Sequence, residues 1–300
     1  MSATNLIQLT SEVQAALTAN QPVVALESTV IAHGLPRPQN LETALRLEEI
    51  VRAEAGVPAT IAMLAGEMRV GLEPSEVELL ANSADIKKLS VRDLAIGLAR
   101  QWNGATTVAS TAWIAHRAGI RVFATGGVGG VHRGSLPDVS ADLPELARTP
   151  MIVVCSGAKI VLDLPATREW LETNSVTVVG YECDEMPAFY SRRSSLPIDV
   201  RCDSPEQVVE IFNAQRELGM ESALLVTVPV PAAAEVDSEL LQRVLDESLA
   251  EAERQRISGR DLTPFLLARM AGQSAGATLR ANIALLENNA RVAAQIAGAL

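Results

Sequence analysis

The chain has 300 residues, 48% of them hydrophobic, enough to bury a large core. A formal net charge of −11 argues against a nucleic-acid partner, because phosphate backbones recruit Lys and Arg in excess. A small anionic ligand stays compatible, since a few local cations suffice. Aromatic residues make up only 3%, which suits aliphatic helices packed on a buried sheet better than an antiparallel sandwich. No run of about 18 uncharged apolar residues occurs, and the start MSATNLIQLTSEVQAAL has no basic stretch leading into an apolar one, so no membrane is expected. Three scattered cysteines (Cys155, Cys183, Cys202) without a CxxC fit a reducing, cytoplasmic setting.

In chain order, residues 9–20 predict an amphipathic helix with Thr10 or Ser11 as its cap. Residues 22–28 (PVVALES) read as a buried strand. Residues 39–55 form a helix, with Leu41, Ala44, Leu47, Ile50 and Val51 at helical spacing, and residues 58–64 a strand. Strands follow at 120–125, before a glycine-rich loop, and at 151–155, before Ser-Gly-Ala-Lys. Residues 176–180 and 223–228 add two more. From Leu240 onward the pattern is almost wholly helical, broken near 258–263 and 272–276. No linker or repeat divides the chain, so 1–300 reads as a single domain. Alternating strands and helices predict a three-layer α/β/α fold with a mainly parallel central sheet covered by helices. In such sheets ligands gather at the carboxyl ends of strands, where Glu27, the glycine loop and Lys159 all fall.

Thr125-Gly-Gly-Val-Gly-Gly-Val-His-Arg-Gly134 holds five glycines in ten residues. It can let a backbone approach a phosphate and aim N–H groups at it, with His132 and Arg133 as further donors. It matches neither GxGxxG nor a Walker loop, and glycines serving turn sterics alone are the competing reading. Asp138 and Asp142 would share a face if a helix began at Asp138. They could then hold a hard cation, or simply favour a helix start capped by Ser140. Lys159 follows a buried strand in a chain with only two other lysines, Lys87 and Lys88. Partial desolvation there favours the neutral, nucleophilic amine, although a surface lysine has the same local pattern. Ser156-Gly-Ala-Lys159 also matches the S-x-x-K of acyl-transfer enzymes, without its companion motifs. Glu27 ends a buried strand, where a carboxyl keeps its proton and can act as a donor, or can pair with an arginine. His33 and His116 have no metal-ligand spacing.

Eight ordered segments, VALESTVIAHGLPRPQNLETA, GATTVAST, FATGGVGGVHRG, DVSADLPEL, VVCSGAK, GYECDEMPAFY, TPFLL and NIALLENNA, span nearly the whole chain. In this order they resemble the pseudouridine-5'-phosphate glycosidase family. The resemblance implies cleavage of the carbon–carbon glycosidic bond of pseudouridine 5'-phosphate to uracil and ribose 5-phosphate, a reversible reaction. It also implies a divalent cation (Mn²⁺, or another such as Mg²⁺) and a homotrimer with an α/β/α core.

Position by position, the resemblance implies Lys159 as covalent nucleophile, forming a Schiff base, and Glu27 as proton donor. Lys88, Thr107, Val108, Thr125, His132, Ser140, Ala141, Asp142 and Asn282 fall on substrate-binding positions, His132 and Thr125 near the phosphate and Asn282 near uracil. Asp138 falls on the metal position. Two departures are visible: a short Ser-Leu-Pro loop at 135–137, and Val228 where an asparagine is common, which puts a pocket-wall contact in question. A Schiff-base aldolase, a non-enzymatic sugar-phosphate sensor and an S-x-x-K acyl hydrolase are the alternatives.

Overall fold

The computed structural model describes residues 6–134, 138–257, 259 and 262–300. It begins with β1 (Ile7–Leu9), α1 (Ser11–Thr18), β2 (Val23–Glu27), α2 (Gln39–Ala53), β3 (Val57–Leu64) and β4 (Glu67–Val70). Next come α3 (Pro74–Asn82), β5 (Lys87–Leu89), α4 (Val91–Arg100), β6 (Gly104–Thr106), α5 (Val108–Arg117) and β7 (Val122–Ala124). The second half adds α6 (Asp142–Leu146), β8 (Ile152–Cys155), α7 (Leu164–Thr173), β9 (Thr177–Tyr181) and β10 (Val200–Cys202). It continues with α8 (Pro205–Glu217), β11 (Leu224–Thr227), α9 (Ser238–Arg254), α10 (Leu262–Gln273) and α11 (Ala277–Ala299).

Among the described residues eleven strands form one sheet, in the order β1-β4-β3-β2-β7-β8-β11-β9-β10, with β6 beside β3 and β5 beside β6. Only the β3–β4 and β3–β6 pairs are antiparallel. Every residue of β2, β8 and β11 is buried, as expected where helices cover both faces of a parallel sheet. Helix α11 crosses one face over β2, β7 and β8, flanked by α2 and α8, while α5 packs on β2 and β3 with α6 beside it. The three-layer arrangement expected from the sequence is the one that forms.

The missed strands are the short ones. β1, β5, β6 and β10 have three residues each, too few to display a period. β4 was hidden in a tight hairpin: Ala65 and Gly66 both take positive φ, as a type I′ turn requires, and return the chain along β3. Thr10 does cap α1, accepting a hydrogen bond from the Val13 amide.

Topology places the site. After β2 the chain builds outward through β3, and after β7 it builds the other way through β8, so β2 and β7 flank the point where the winding reverses. Crevices for ligands open there, beyond the strands' carboxyl ends. The register Leu26↔Ala124↔Val154 then sets Glu27, Thr125 and Cys155 side by side on the next rung. Beyond it the two chains stay zipped: Ser156 N–H donates to the Gly126 carbonyl (2.9 Å), Val128 N–H to Gly157 (3.1 Å) and Lys159 N–H to Val128 (3.2 Å).

Gly157 is required in this extension. Its φ is +82°, and a Cβ there would lie 2.0 Å from the Pro187 carbonyl oxygen. Gly157→Ala is expected to cost at least about 2 kcal/mol in urea unfolding. Gly119→Ala, at φ +89° with open space around it, should cost only about 1 kcal/mol. Equal costs would contradict this packing account.

Candidate active site

A cavity of about 390 Å³ opens at the carboxyl ends of β2, β6, β7 and β8. Glu27, Lys88, Lys159 and His132 line it, together with Thr107 and Val108 at the start of α5 and the buried Asn282 of α11. Asp138, Ser140, Ala141 and Asp142 form a further wall. Of the residues expected at the site, Thr125 and Arg133 do not line the cavity; Thr125 sits behind Glu27 and holds it, and Arg133 Nε donates to the Leu162 carbonyl (3.1 Å).

Glu27 is 9% exposed, and the Thr125 hydroxyl donates to its Oε1. Burial pushes its carboxyl well above the usual range. The positive charge of Lys159, the Thr125 hydrogen bond and Lys88 pull the other way, while Asp142 adds to the rise. Four of the expected residues therefore act electrostatically on one carboxyl, and no arginine is among the causes. The balance favours a protonated acid, as a proton donor requires.

Lys159 stands half-buried in the turn after β8, well before α7, so it is not on the first turn of a helix. His33 lines the same cavity; burial, and secondarily Lys88, lowers its pKa, so the ring is neutral near pH 7.

The glycine loop differs from the anion cradle anticipated for it. The amides of Thr125, Val128, Gly129, Val131 and His132 are all spent on protein acceptors: the carbonyls of Val154, Gly157 and Asp138, the Asp142 carboxylate and the Thr167 hydroxyl. The glycines answer to packing. A Cβ on Gly127 would meet the Phe189 ring at 2.7 Å, on Gly129 the Ser140 hydroxyl at 2.2 Å, and on Gly130 the Thr167 hydroxyl at 2.3 Å. The loop lines the cavity with the backbone of Gly126, Gly127 and Gly129 and with the His132 side chain.

Asp138 and Asp142 do not share a helix face, because α6 begins at Asp142 and not at Asp138. Asp142 is buried and bridges two backbones, its Oδ1 accepting from Ala109 N–H at the start of α5 (3.0 Å) and its Oδ2 from Gly129 N–H (2.8 Å). Ser140 supports this turn, its Oγ accepting from the Asp142 amide (3.3 Å). Asp138 is exposed at the cavity's lip. Among the described residues no three His, Cys, Asp or Glu side chains converge. A hard cation that keeps most of its water and takes one carboxylate does fit the Asp138 lip.

Ser156 is fully buried and hydrogen-bonded to Asn289, away from the cavity, which removes the S-x-x-K reading. Val228 is buried and extends the β11 ladder to Cys155; it is not a cavity residue, so that departure leaves the pocket wall untouched. The 135–137 loop lies outside the described residues. Cys155, Cys183 and Cys202 are free thiols, and burial lifts Cys155 to about 12, so it is inert. Thr29, Ser90, Arg92 and Phe189 line the cavity without having been singled out, although all but Ser90 and Arg92 lie inside the ordered segments.

A family model described as indigoidine synthase A like protein matches residues 12–299. Proteins named pseudouridine-5'-phosphate glycosidase match along nearly their whole length. That of Herpetosiphon aurantiacus is 51% identical, with 97% of each chain covered. That of Hahella chejuensis is 48% identical over 97% of each, and that of Staphylococcus aureus 46% identical over 98% of this chain and 96% of the relative. The chain belongs to the pseudouridine-5'-phosphate glycosidase family. Two solved structures share the family fold. The prealnumycin C-glycosynthase AlnA in complex with ribulose 5-phosphate superposes with a TM-score of 0.90 at 38% identity, covering 98% of this chain and 96% of that one. An indigoidine synthase A-like protein from Thermotoga maritima gives 0.89 at 37%, covering 97% and 95%.

Two outcomes are expected from this geometry. Glu27 holds its proton to higher pH folded than unfolded, so its contribution to stability is complete below the usual carboxylate range and lost as pH rises through the raised folded value. Glu27→Gln should therefore gain stability relative to wild type as pH climbs from about 5 to 8, followed by melting temperature; a pH-independent difference contradicts the assignment. Asp142→Ala, which orphans two buried amides, should cost about 3 kcal/mol in urea unfolding, and a cost within about 0.5 kcal/mol of zero contradicts the bridge.

Proposed function

We propose that this chain, acting as a single domain over residues 1–300, is itself a pseudouridine-5'-phosphate glycosidase. It would release uracil and ribose 5-phosphate reversibly. The observation that carries the reading is a buried Glu27, its pKa raised by burial, facing the same cavity as Lys159. Family membership and AlnA's bound ribulose 5-phosphate support a sugar-phosphate ligand.

Glycosidases of the common kind protonate a leaving heteroatom between two carboxylates. A uracil joined through C5 has no lone pair at that bond, so another route is needed. The Lys159 amine attacks C1' and the C1'–O4' bond breaks, O4' taking the proton of Glu27. The new ammonium returns a proton to the Glu27 carboxylate, which delivers it to uracil C5 and leaves the nitrogen with its lone pair. The C1'–C5 bond breaks, its electron pair returning to the uracil ring, while the nitrogen lone pair closes a C1'=N iminium, the Schiff base. Water adds to the iminium and releases ribose 5-phosphate, restoring the amine. Only a primary amine provides this electron sink, which accounts for a lysine in a chain that otherwise uses mostly arginine.

The phosphate would be held by His132 and Lys88, with Arg92 adding positive field at the same wall. Asn282 would bind uracil, and Thr107, Val108, Ser140, Ala141 and Asp142 would shape the sugar's seat. Mn²⁺ or Mg²⁺, held by Asp138 and water, would supply charge neutralisation. The enzyme is proposed to be cytoplasmic and a homotrimer; among the described residues no helix is long and apolar enough to cross a membrane.

The test is incubation with pseudouridine 5'-phosphate and Mn²⁺ while uracil is followed in the ultraviolet. Uracil is expected from wild type, with turnover lowered about 10²–10⁴-fold in Glu27→Ala and lost in Lys159→Ala. Absence of uracil from the wild-type protein, or normal turnover by Lys159→Ala, overturns the reading.

A further inference from the structure

Asn289 lies two helical turns beyond Asn282 on α11, and it is fully buried among aliphatic neighbours on that helix, Leu285, Leu286, Val292 and Ala293. Desolvating a carboxamide there is costly unless all its hydrogen bonds are made. They are made to two strand ends at once. Its Nδ2 donates to the Thr125 carbonyl (2.8 Å) and the Ser156 hydroxyl (3.1 Å), with a longer contact to the Gly126 carbonyl (3.4 Å), and its Oδ1 takes the Ser156 hydroxyl (3.2 Å).

Those two strand ends carry the proposed chemistry. Thr125 holds the Glu27 carboxyl through its own hydroxyl. Ser156 opens the short turn that ends at Lys159, and that turn is zipped to the glycine loop through Gly126, Gly157 and Val128. Asn289 is thus bonded to the residue that holds the acid and to the first residue of the segment that holds the nucleophile. It does not line the cavity.

We propose that Asn289 is a positioning residue of the active site, one that sets the placement of Glu27 relative to Lys159 without touching substrate. This rests on the roles given to Glu27 and Lys159 under the proposed function. A leucine of similar size would fill the space with less desolvation; an asparagine is needed to join the Thr125 carbonyl to the Ser156 hydroxyl. Misplacement of reacting groups by about 1 Å costs on the order of 10²-fold in rate. Loosening Thr125 also removes a hydrogen bond that holds Glu27's pKa down, so the basic limb of the kcat profile should move to higher pH.

The experiment measures kcat, KM and the pH dependence of kcat for Asn289→Leu with pseudouridine 5'-phosphate and Mn²⁺, on protein shown to be folded by circular dichroism. The expected result is a fall in kcat of about 10²-fold with KM nearly unchanged, and a basic limb moved upward in the direction given by Thr125→Val. A lowered melting temperature with wild-type kcat and an unmoved limb would overturn the proposal, leaving Asn289 a stability residue only. If Asn289→Leu fails to fold, Ser156→Ala carries the test, because it removes one hydroxyl from the same network. A fall in kcat of about 10-fold with the same upward shift is then expected, and wild-type kcat and profile overturn the proposal. Uracil release by wild type separates the two readings: without it the function fails, whereas an active wild type and unaffected variants refute only the role of Asn289.

Discussion

A carboxyl group with almost no access to water stands at the end of a buried parallel strand, and the site is arranged around keeping it there. Glu27 cannot be ionised cheaply at that depth, since burial outweighs the favourable charges of Lys159 and Lys88. The Thr125 hydroxyl satisfies it without forcing it to ionise. That contact exists because β2 and β7 are parallel neighbours in a register that brings the two residues level. Sheet topology, rather than any local motif, therefore determines the state of the acid.

The same economy explains the segment that follows β7. A glycine-rich stretch after a strand invites an anion-binding interpretation, yet here the amides of Thr125, Val128, Gly129, Val131 and His132 are already bonded within the protein. Glycine is needed because Phe189, Ser140 and Thr167 press against the backbone, leaving no room for a Cβ. A rigid, tightly packed loop presents His132 in a fixed place and carries Val128 against the turn of Lys159. Asp142 performs a related task on the other side, tying the start of α5 to Gly129. Rigid support of this kind matters for a reaction in which an acid and an amine act on neighbouring atoms of one sugar.

Much of the framework was legible in the sequence because it is written in long signals. The mainly apolar runs of β2, β3, β8 and β11, and the helical spacing of α2, each extend over enough residues to show their character. The short strands β1, β5, β6 and β10 and the Ala65-Gly66 hairpin were not legible, since pairing with distant strands creates them. In the site, Glu27 and Lys159 were readable from position after strands and from residue scarcity. A shared helix face for Asp138 and Asp142 required a helix starting at Asp138, and the helix starts at Asp142. Asn289 and Phe189 were present in segments that marked the family, but their work depends on contacts more than a hundred and about sixty residues away along the chain, which no local pattern encodes.

The central claim is that carbon–carbon cleavage proceeds through a covalent bond between Lys159 and the sugar, with Glu27 as acid. The most direct measurement is reduction with borohydride during turnover, followed by intact-mass analysis and peptide mapping. The account predicts a single reduced ribose 5-phosphate adduct on Lys159. An adduct on any other residue, or none while uracil is being released, would contradict it.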